Sequence, residues 1–375
     1  MNNRIYRHLA VIALLFAALI GLGAMHSQVI KDPQAGSHPL QKSGSGLNQA
    51  KDTISPKGIA ADIGTSVKTF QSVIVDNDNI KWFVTEQGIV SYNGDKWILH
   101  NKNRKVATQD LKGFAFEVNP NGQELWIASP NGATVASIPV DGKTGATTYH
   151  TGNTTILSNN VLRIAIGKSP MRWFGTDKGI SAFRDSKWLV PAYDELYPES
   201  LFQDSRITSM ATSANGDSLY VGTEGAGVAR VNRNDVDAIS GASVYAQWGP
   251  IKLPSDNIYS VFIEANGTQW FGTDKGLARH VGSNTLNNWT VFNVTNGIAD
   301  NFVQAITADQ TGKIWIGTKK GVSVFDGTAW ISYTITEGLN SNNIQCIAVD
   351  KTGVIWLGTD NGVNSYENGK FASYR

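Results

Sequence analysis

Five acidic side chains recur along the sequence, each one residue after a hydroxyl residue of a repeated motif. They are Glu86, Asp177, Glu224, Asp274 and Asp360. If the repeats close into a ring, these carboxylates surround one opening, where they could bind a cation or accept hydrogen bonds from sugar hydroxyls. Acidic residues beside glycine are also ordinary residues of exposed hairpin turns. The turn role is the simpler interpretation, and the binding role stays open beside it.

A second candidate for ligand binding is the aromatic and acidic stretch that follows Trp188. It contains Tyr193, Asp194, Tyr197 and Phe202. Aromatic faces stack on sugar rings, and adjacent carboxylates accept hydrogen bonds from sugar hydroxyls. We therefore expect this connection to be the preferred ligand contact. A surface loop that packs only on itself is the alternative.

Signatures of catalysis and of cofactor binding are weak. The histidines after the amino-terminal region are His38, His100, His150 and His280, and no Glu-x-His pair accompanies them. The single cysteine, Cys346, excludes an internal disulfide and thiolate zinc sites. The sequence has no serine elbow and no phosphate-cradling glycine loop. We predict no catalytic residues, no metal site and no cofactor.

The charge balance argues against nucleic acid as a partner. The 32 Lys and Arg residues nearly equal the 31 Asp and Glu residues, which leaves a net charge of +1 at pH 7. Nucleic-acid binding needs a basic patch or stripe on one face, whereas the main basic cluster here is the short run 102–105. A small molecule or a protein is the expected ligand.

A motif of one aromatic, one hydrophobic, one small and one hydroxyl residue dominates the sequence after residue 66. Its seven copies begin at Trp82, Trp126, Trp173, Tyr220, Trp270, Trp315 and Trp356. They are spaced roughly 45 residues apart, which is in the range of β-propeller blades. A glycine follows six residues after the aromatic in six copies and seven after it in the fourth, where a short hairpin needs positive φ.

Alternation and turn residues divide each repeat into four antiparallel strands. The sequence therefore predicts an all-β, seven-bladed β-propeller over residues 67–375, with each blade built from contiguous sequence. The motif aromatics are expected to pack between neighbouring blades. Packing of side chains alone should then close the ring, unless residues 57–64 add a strand.

The inner strands carry a column of small residues that indicates crowding around a central axis. Its members are Ser72, Gly113, Ser209, Ser260, Ala305 and Cys346. Arg163 takes the corresponding place in the third blade. This arginine either pairs locally or reaches into the central channel to contact a ligand, and both interpretations stay open.

The amino terminus has the features of an export segment. Arg4 and Arg7 precede an uncharged apolar run over residues 9–25, which predicts a signal peptide or membrane anchor over residues 1–27. Residues 28–66 are rich in Gly, Ser, Gln and Lys, which predicts a flexible linker. We expect a periplasmic or secreted protein that contacts a membrane only if residues 9–25 are retained as an anchor.

The repeats resemble the two-component regulator propeller family. The resemblance is carried by Asp309-Gln-Thr-Gly-Lys-Ile-Trp-Ile-Gly-Thr318, by Asp350-Lys-Thr-Gly-Val-Ile-Trp-Leu-Gly-Thr359 and by the lead-in Gly338-Leu-Asn-Ser-Asn-Asn-Ile344. It implies a periplasmic sensory propeller, in a family commonly linked to carbohydrate sensing. Such propellers are usually followed by a membrane helix and a histidine kinase, whereas this sequence ends just after the last strand.

These features predict a non-catalytic ligand-binding or sensing propeller for a carbohydrate-like ligand, without its own kinase. A protein-interaction platform that docks a membrane sensor or envelope protein is the second hypothesis. Streptogramin lyases are similar seven-bladed propellers with a histidine and glutamate cluster beside a metal. They provide a remote enzymatic alternative, which the separated histidines do not favour.

Overall fold

The computed structural model describes residues 58–64, 66–100, 110–119, 122–138, 146–167, 171–189, 205–232, 243–245, 253–282 and 288–375. The predicted export segment and residues 28–57 of the predicted linker lie outside these ranges, so both stay predictions. None of the helices in the described part has the length and apolar character that a bilayer crossing requires.

The described strands, named in chain order, form four per blade. Blade 1 contains β1 (Phe70–Val75), β2 (Lys81–Thr85), β3 (Gly88–Tyr92) and β4 (Trp97–His100). Blade 2 contains β5 (Gly113–Asn119), β6 (Gly122–Ser129), β7 (Gly132–Ile138) and β8 (Ala146–Tyr149). Blade 3 contains β9 (Val161–Ile166), β10 (Arg172–Thr176), β11 (Gly179–Arg184) and β12 (Lys187–Leu189). Blade 4 contains β13 (Ile207–Thr212), β14 (Ser218–Thr223), β15 (Val228–Asn232) and β16 (Ser243–Tyr245).

The remaining blades follow the same order. Blade 5 contains β17 (Ile258–Ile263), β18 (Gln269–Thr273), β19 (Leu277–His280) and β20 (Trp289–Phe292). Blade 6 contains β21 (Val303–Ala308), β22 (Ile314–Thr318), β23 (Gly321–Phe325) and β24 (Trp330–Tyr333). Blade 7 contains β25 (Ile344–Val349), β26 (Ile355–Thr359), β27 (Gly362–Glu367) and β28 (Lys370–Tyr374). One short helix, α1 (Ile59–Ile63), precedes blade 1.

Each blade is a four-stranded antiparallel sheet whose strands pair in sequence order. The prediction of a seven-bladed, all-β propeller is therefore confirmed. The first strand of each blade lies innermost, and neighbouring blades contact each other through these inner strands. The lead-in segments before the inner strands and the turns between second and third strands consequently lie at the same end of the ring.

The motif hydroxyl closes the turn between the second and third strands in all seven blades. Thr318 donates from Oγ1 to the carbonyl oxygen of Gly321 at 2.7 Å and accepts from the backbone N–H of Lys320 at 3.1 Å. Equivalent bonds to a glycine carbonyl start from Thr85, Ser129, Thr176, Thr223, Thr273 and Thr359. Gly321 has a φ of 136°, which side-chain-bearing residues rarely adopt.

In four blades the indole of the motif tryptophan donates a hydrogen bond to an acidic residue six positions earlier in the sequence. In blade 7, the indole Nε1–H of Trp356 donates to Asp350 Oδ2 at 3.0 Å, while Asp350 Oδ1 accepts from two backbone N–H groups of its own turn. Asp76, Glu264 and Asp309 make the corresponding indole bonds. The Asp-x-x-Gly segment is thus a turn that also satisfies a buried indole.

Seven hydrophobic clusters hold the blades together, one in each gap between neighbours. All seven motif aromatics are buried, as predicted. The glycines of the motif allow close approach: a Cβ at Gly317 would lie 2.7 Å from Cγ2 of Ile344 on the next inner strand. Leucine or valine at such positions would push neighbouring blades apart.

Among the described strands, none of blade 7 joins the sheet of blade 1 or the reverse. Side-chain packing closes the ring there, together with a backbone hydrogen bond of 2.8 Å from the Gly362 N–H to the Lys68 carbonyl. Residues 58–64 contribute helix α1 and a glycine cap instead of the strand considered from sequence. Ile59 is fully buried in the cluster that contains Phe70 and Trp97 of blade 1 and Tyr374 of blade 7. The folded unit therefore begins before Val67, inside the stretch predicted to be linker.

Candidate binding site around the central channel

The inner strands of all seven blades line one central cavity of about 280 Å³. Three consecutive positions of these strands form its wall. The predicted small column lies in the wall with Arg163, and its other members are Ser72, Gly113, Ser209, Ser260, Ala305 and Cys346. The next residue in every inner strand is apolar: Val73, Phe114, Ile164, Met210, Val261, Ile306 and Ile347. The prediction that the small column surrounds the axis is confirmed.

A ring of β-bulges surrounds the end of the cavity that faces the lead-in segments. In six blades the pairing between first and second strands skips the second residue of the inner strand, at Gln71, Leu162, Thr208, Tyr259, Gln304 and Gln345. A bulge leaves one residue unpaired and redirects its side chain. Four of these residues, Gln71, Tyr259, Gln304 and Gln345, line the cavity.

These bulged residues are functional candidates that the sequence analysis missed. A bulge is a property of pairing register, so no single strand reveals it. A local signal was nevertheless present, because glutamine directly precedes the small column in blades 1, 6 and 7. Gln304 already contacts the next blade, donating from Nε2 to Asn343 Oδ1 and to the Ile344 carbonyl, each at 2.9 Å. Gln71 is exposed to solvent, so the cavity opens at this end.

Arg163 extends towards the channel and also pairs locally, so both sequence interpretations describe part of its position. Its Nη1 donates to the carbonyl oxygens of Leu162 at 2.7 Å and Lys112 at 3.1 Å. Protein encloses the guanidinium, whose accessible surface faces the cavity. Burial first, and the positive charge of Arg206 second, lower the pKa of Arg163 to about 10. The group remains protonated at neutral pH.

Each acidic residue of the predicted ring contacts the lead-in segment before the inner strand of its own blade. We call this contact a clasp. None of these acidic residues lines the cavity. Asp274 Oδ2 accepts from the Asn257 amide at 3.2 Å, and the pairs Asn160–Asp177 and Asn343–Asp360 repeat this bond at 3.1 and 2.9 Å. In each pair the asparagine immediately precedes the inner strand. Their geometry is that of turn residues, whereas ligand binding by them stays a prediction.

The lowered pKa of Asp177 follows from the same clasp. Burial by itself raises the pKa of this carboxyl, but hydrogen bonds from Ser158 and Asn160 and the charge of Lys178 outweigh it, and the net direction is downward. The carboxylate is thus held in its ionised form by its partners.

Blades 1, 4 and 6 make the same connection with different chemistry. Glu86 accepts from the backbone N–H groups of Lys68 at 2.7 Å and Thr69 at 2.9 Å. Glu224 pairs with Arg206 at 3.4 Å, with both side chains well exposed. In blade 6 Lys319 takes the place of the acidic residue, and its ammonium lies 3.6 Å from the ring centroid of Phe302.

Tyr259 and Phe302 form an aromatic pair at the mouth of the cavity. Their ring centroids are 4.3 Å apart, and both residues are partly exposed. Burial raises the pKa of Tyr259, and the negative charges of Asp274 and Glu224 raise it further. The phenol therefore stays protonated and can donate a hydrogen bond to a ligand.

The sequence predicts that four residues after Trp188 form an aromatic contact loop. Tyr193, Asp194, Tyr197 and Phe202 lie outside the described residues. Their role in ligand binding stays a prediction. The described chain resumes at residue 205, directly before β13 and next to Arg206.

The described histidines are separate and take part in blade packing. His100 stacks on Trp82 at 4.9 Å between centroids and bonds to Ser91 Oγ at 2.9 Å. His280 stacks on Trp289 at 4.5 Å and lies 3.2 Å from Gln269 Oε1. His150 accepts from a backbone N–H two residues later. Within the described residues, no group of three or more His, Cys, Asp or Glu side chains is arranged to hold a metal ion.

A second and larger cavity, of about 540 Å³, lies between blades 4 and 5 at the opposite end of the ring. Its charged residues are Arg230 and Glu264. Arg230 donates to Ser218 Oγ and lies over the Tyr220 ring, while Glu264 accepts the indole N–H of Trp270. Both charges serve blade packing, and only two blades contribute. The central channel, to which all seven blades contribute, is the better candidate site.

Comparison with known proteins agrees with this architecture. The family model for the two component regulator propeller matches residues 297–320 and 338–361, the lead-ins and first two strands of blades 6 and 7. Two of the seven blades therefore match the two component regulator propeller repeat. The family resemblance seen in the sequence is confirmed. No curated protein matches the chain significantly.

Several solved propellers share the fold at low sequence identity. The extracellular domain of BT3049 from B. thetaiotaomicron, described as a hybrid two component system, matches with a TM-score of 0.66 and 20% identity, over 81% of this chain and 39% of that one. Virginiamycin B lyase from Staphylococcus aureus matches with a TM-score of 0.59 and 13% identity, over 80% and 94%. The WD40 propeller domain of Doa1 matches with a TM-score of 0.59 and 11% identity, over 83% and 96%.

These structural matches establish the fold and not a function, because a propeller scaffold supports sensors, enzymes and interaction domains alike. The repeat chain covers about two fifths of the BT3049 chain. The remaining three fifths of the BT3049 chain is not matched by this protein.

Proposed function

We propose that this protein is a non-catalytic extracytoplasmic propeller that binds and senses a carbohydrate-like ligand at the mouth of its central channel. The repeat family and the similarity to the BT3049 extracellular domain support a sensing role. The predicted export segment over residues 1–27 supports a periplasmic or secreted location, with retention as a membrane anchor as the alternative.

One observation carries the proposal: the bulges direct polar side chains of several blades into one cavity. Gln71, Gln304 and Gln345 supply amide donors and acceptors, and Tyr259 adds a phenol beside the Phe302 ring. Sugar ligands present hydroxyls that need both donors and acceptors, and apolar ring faces that pack on aromatics. A concave site with a few convergent polar groups is the usual form of a small-molecule site.

The proposal includes a protein partner that receives the signal. The match to the BT3049 extracellular domain covers 39% of that chain. We infer that a membrane sensor or another envelope protein completes the pathway. Binding of the ligand alone would be sufficient for a capture or delivery role.

Calorimetry and thermal shift on the full chain against neutral oligosaccharides test the proposal. A sugar present at one hundred times its Kd should stabilise the protein by about 2.7 kcal/mol. The double variant Gln71→Ala, Gln345→Ala should weaken binding at least tenfold, since neither amide has a protein partner among the described residues. Gln310→Ala is the matched control, because this glutamine lies at the opposite end of the ring and bonds to Asp350 and Lys351 carbonyls.

A separate variant tests the predicted aromatic contact loop. Tyr193→Ala, Tyr197→Ala should also weaken sugar binding if the aromatic loop contributes, and should leave it unchanged if the loop packs only on itself. Absence of any sugar-dependent stabilisation in the wild-type chain would contradict the proposed function.

A protein-interaction platform is the second candidate, and a specific surface favours it. Three exposed apolar residues lie on strand β24 and on the connections that follow β20 and β24: Ile331 at 53%, Val294 at 49% and Ile335 at 57%. Exposed apolar surface is typical of interaction sites. Crosslinking in envelope extracts with Ile331→Lys, Ile335→Lys as the comparison variant would distinguish this candidate: loss of a specific crosslinked product supports it.

A further inference from the structure

The guanidinium of Arg163 has a free hydrogen-bonding edge. Its two hydrogen bonds to the described residues both start from Nη1 and go to backbone carbonyls. Nε and Nη2 form the edge of a guanidinium that binds a carboxylate through two parallel hydrogen bonds. Within the part of the chain that the structure describes, no carboxylate lies within ion-pair distance of Arg163.

Arg172 on the adjacent strand shows what this edge does when it has a partner. Its Nε donates to Glu117 Oε2 at 2.6 Å and its Nη2 donates to Glu117 Oε1 at 2.9 Å. The same blade therefore contains one arginine whose Nε and Nη2 edge binds a carboxylate and one whose equivalent edge does not.

The charged residues that line the cavity beside Arg163 are basic, and the acidic side chain of Glu224 is already paired with Arg206. Among the described residues that line the cavity, the charged ones are Lys112 and Arg163, and no acidic residue is present. Arg206 is close enough to lower the pKa of Arg163. Charges of one sign, partly shielded from solvent by protein, attract an ion of the opposite sign more strongly than the same charges would in water.

The size of the cavity suits a small anionic group. Its volume of about 280 Å³ lies just below the range of about 300–1,000 Å³ that is usual for small-molecule pockets. Its apolar ring, which includes Phe114 and Met210, offers no donors. The cationic donors of the wall are Arg163 and Lys112, and the neutral donors are the bulged amides, the Tyr259 phenol and the serine hydroxyls. A carboxylate held by Arg163 would leave the rest of the ligand facing the ring of bulged residues.

We propose that the central channel is an anion site in which Arg163 binds a carboxylate or sulfate group of the ligand through its Nε and Nη2 edge. This inference rests on the proposed function in one respect only: it places the anionic group on the same ligand that the channel mouth binds. It predicts selectivity for acidic over neutral sugars.

The test uses the full chain with four probes at constant ionic strength: acetate, sulfate, glucuronate and glucose. Glucuronate and glucose differ at one carbon, where the first carries a carboxylate. Titration calorimetry should give a Kd for glucuronate at least tenfold lower than that for glucose. Arg163→Met should raise the Kd for glucuronate and for acetate or sulfate at least tenfold. Arg163→Lys, which keeps the charge but loses the fork, should give an intermediate value.

Lys187→Gln is the matched control, because it also removes one positive charge from blade 3 but lies on the exposed outer strand β12. It should leave every Kd unchanged. Circular dichroism of each variant checks the fold, and the lysine variant keeps the test decisive if the methionine variant does not fold.

The outcomes separate this inference from the proposed function. Binding of acetate or sulfate that depends on Arg163, without binding of either sugar, supports the anion site and contradicts the carbohydrate ligand. Equal binding of glucose and glucuronate, unaffected by Arg163→Met, supports the carbohydrate ligand and overturns the anion site. Failure of acetate, sulfate and glucuronate to bind the wild-type chain at tens of millimolar also overturns the anion site.

Discussion

Two arginines on neighbouring strands of blade 3 have opposite environments. Arg172 on β10 lies in the gap between blades 2 and 3, where Glu117 binds its Nε and Nη2 edge and the rings of Trp126 and Phe183 lie 5.3 and 5.6 Å from its guanidinium carbon. Arg163 on β9 reaches the channel, and its hydrogen-bond partners among the described residues are two carbonyl oxygens.

The comparison separates structural charge from charge available to a ligand. A buried charge stabilises a fold only when its partners offset the cost of desolvation. Arg172 has such partners. Arg163 carries the desolvation cost, seen in its lowered pKa of about 10, without an opposite charge. Packing between blades does not require an arginine here, because the other six members of the column are small or apolar.

Removing the partner of Arg172 should produce the largest effect. Glu117→Ala leaves the buried guanidinium without its carboxylate, and we expect a loss of about 3–5 kcal/mol in the free energy of unfolding. Urea denaturation followed by tryptophan fluorescence measures it. Glu367→Ala, at the exposed end of β27, serves as the control and should change stability by less than about 0.5 kcal/mol. A loss below about 1 kcal/mol for Glu117→Ala would mean that the pair is replaceable by water.

A second paired charge, at the gap between blades 7 and 1, should make stability depend on acid pH. Asp350 lies 3.0 Å from Lys81, with both side chains buried. Burial alone raises the pKa of Asp350, but hydrogen bonds from Thr352, Lys81 and Trp356 and the charge of Lys81 lower it to about 2. Between about pH 4 and pH 2 the unfolded chain therefore binds more protons at this site than the folded chain.

The stabilisation from Asp350 is complete above about pH 4 and is lost as the pH falls towards 2. We expect Asp350→Asn to flatten the pH dependence of stability in this window, and Thr352→Val to flatten it in part, by removing one of the hydrogen bonds. Denaturation curves at half-unit steps from pH 2 to pH 5 measure both. Parallel curves for wild type and Asp350→Asn would show that the Asp350 carboxylate does not cause the pH dependence of stability in this window.

Breaking one lead-in clasp should have a smaller effect. Asn257→Ala removes the hydrogen bond to Asp274, which is neither fully buried nor between two charges, so we expect a loss of about 1 kcal/mol. Thermal unfolding measures it. The same substitution at Asn160 or Asn343 should cost a similar amount, since the geometry repeats. A much larger loss at one blade would identify a site where the clasp has a second role.

Replacing Arg163 should have the smallest effect on stability. Arg163→Met exchanges a half-buried charge that has no carboxylate partner among the described residues for an apolar side chain of similar length, and we expect a change within about 1 kcal/mol, in either direction. Urea denaturation beside Glu117→Ala gives the comparison directly. A loss as large as that of Glu117→Ala would show that Arg163 is as structural as Arg172.

The repeat made most of the fold predictable. The turn residues, the alternation of apolar and polar residues along the strands and the buried aromatic are local features of the sequence. They recur in each copy of the motif. The hydroxyl bonds at Thr318 and its six equivalents are satisfied within the turn itself. Seven blades, their order and the glycines of the hairpin turns therefore followed from the sequence. Helix α1 did not, because its packing against blades 1 and 7 depends on contacts distant in sequence.

The candidate site was predictable only in part. The sequence alone determined that a lone arginine interrupts a column of small residues, because position within each repeat is a local property. Tertiary structure alone decided that the acidic residues clasp lead-ins while bulged glutamines and Tyr259 line the cavity. The reason is physical: pairing register sets which way a side chain points, and closure of the ring decides which side chains from distant blades meet.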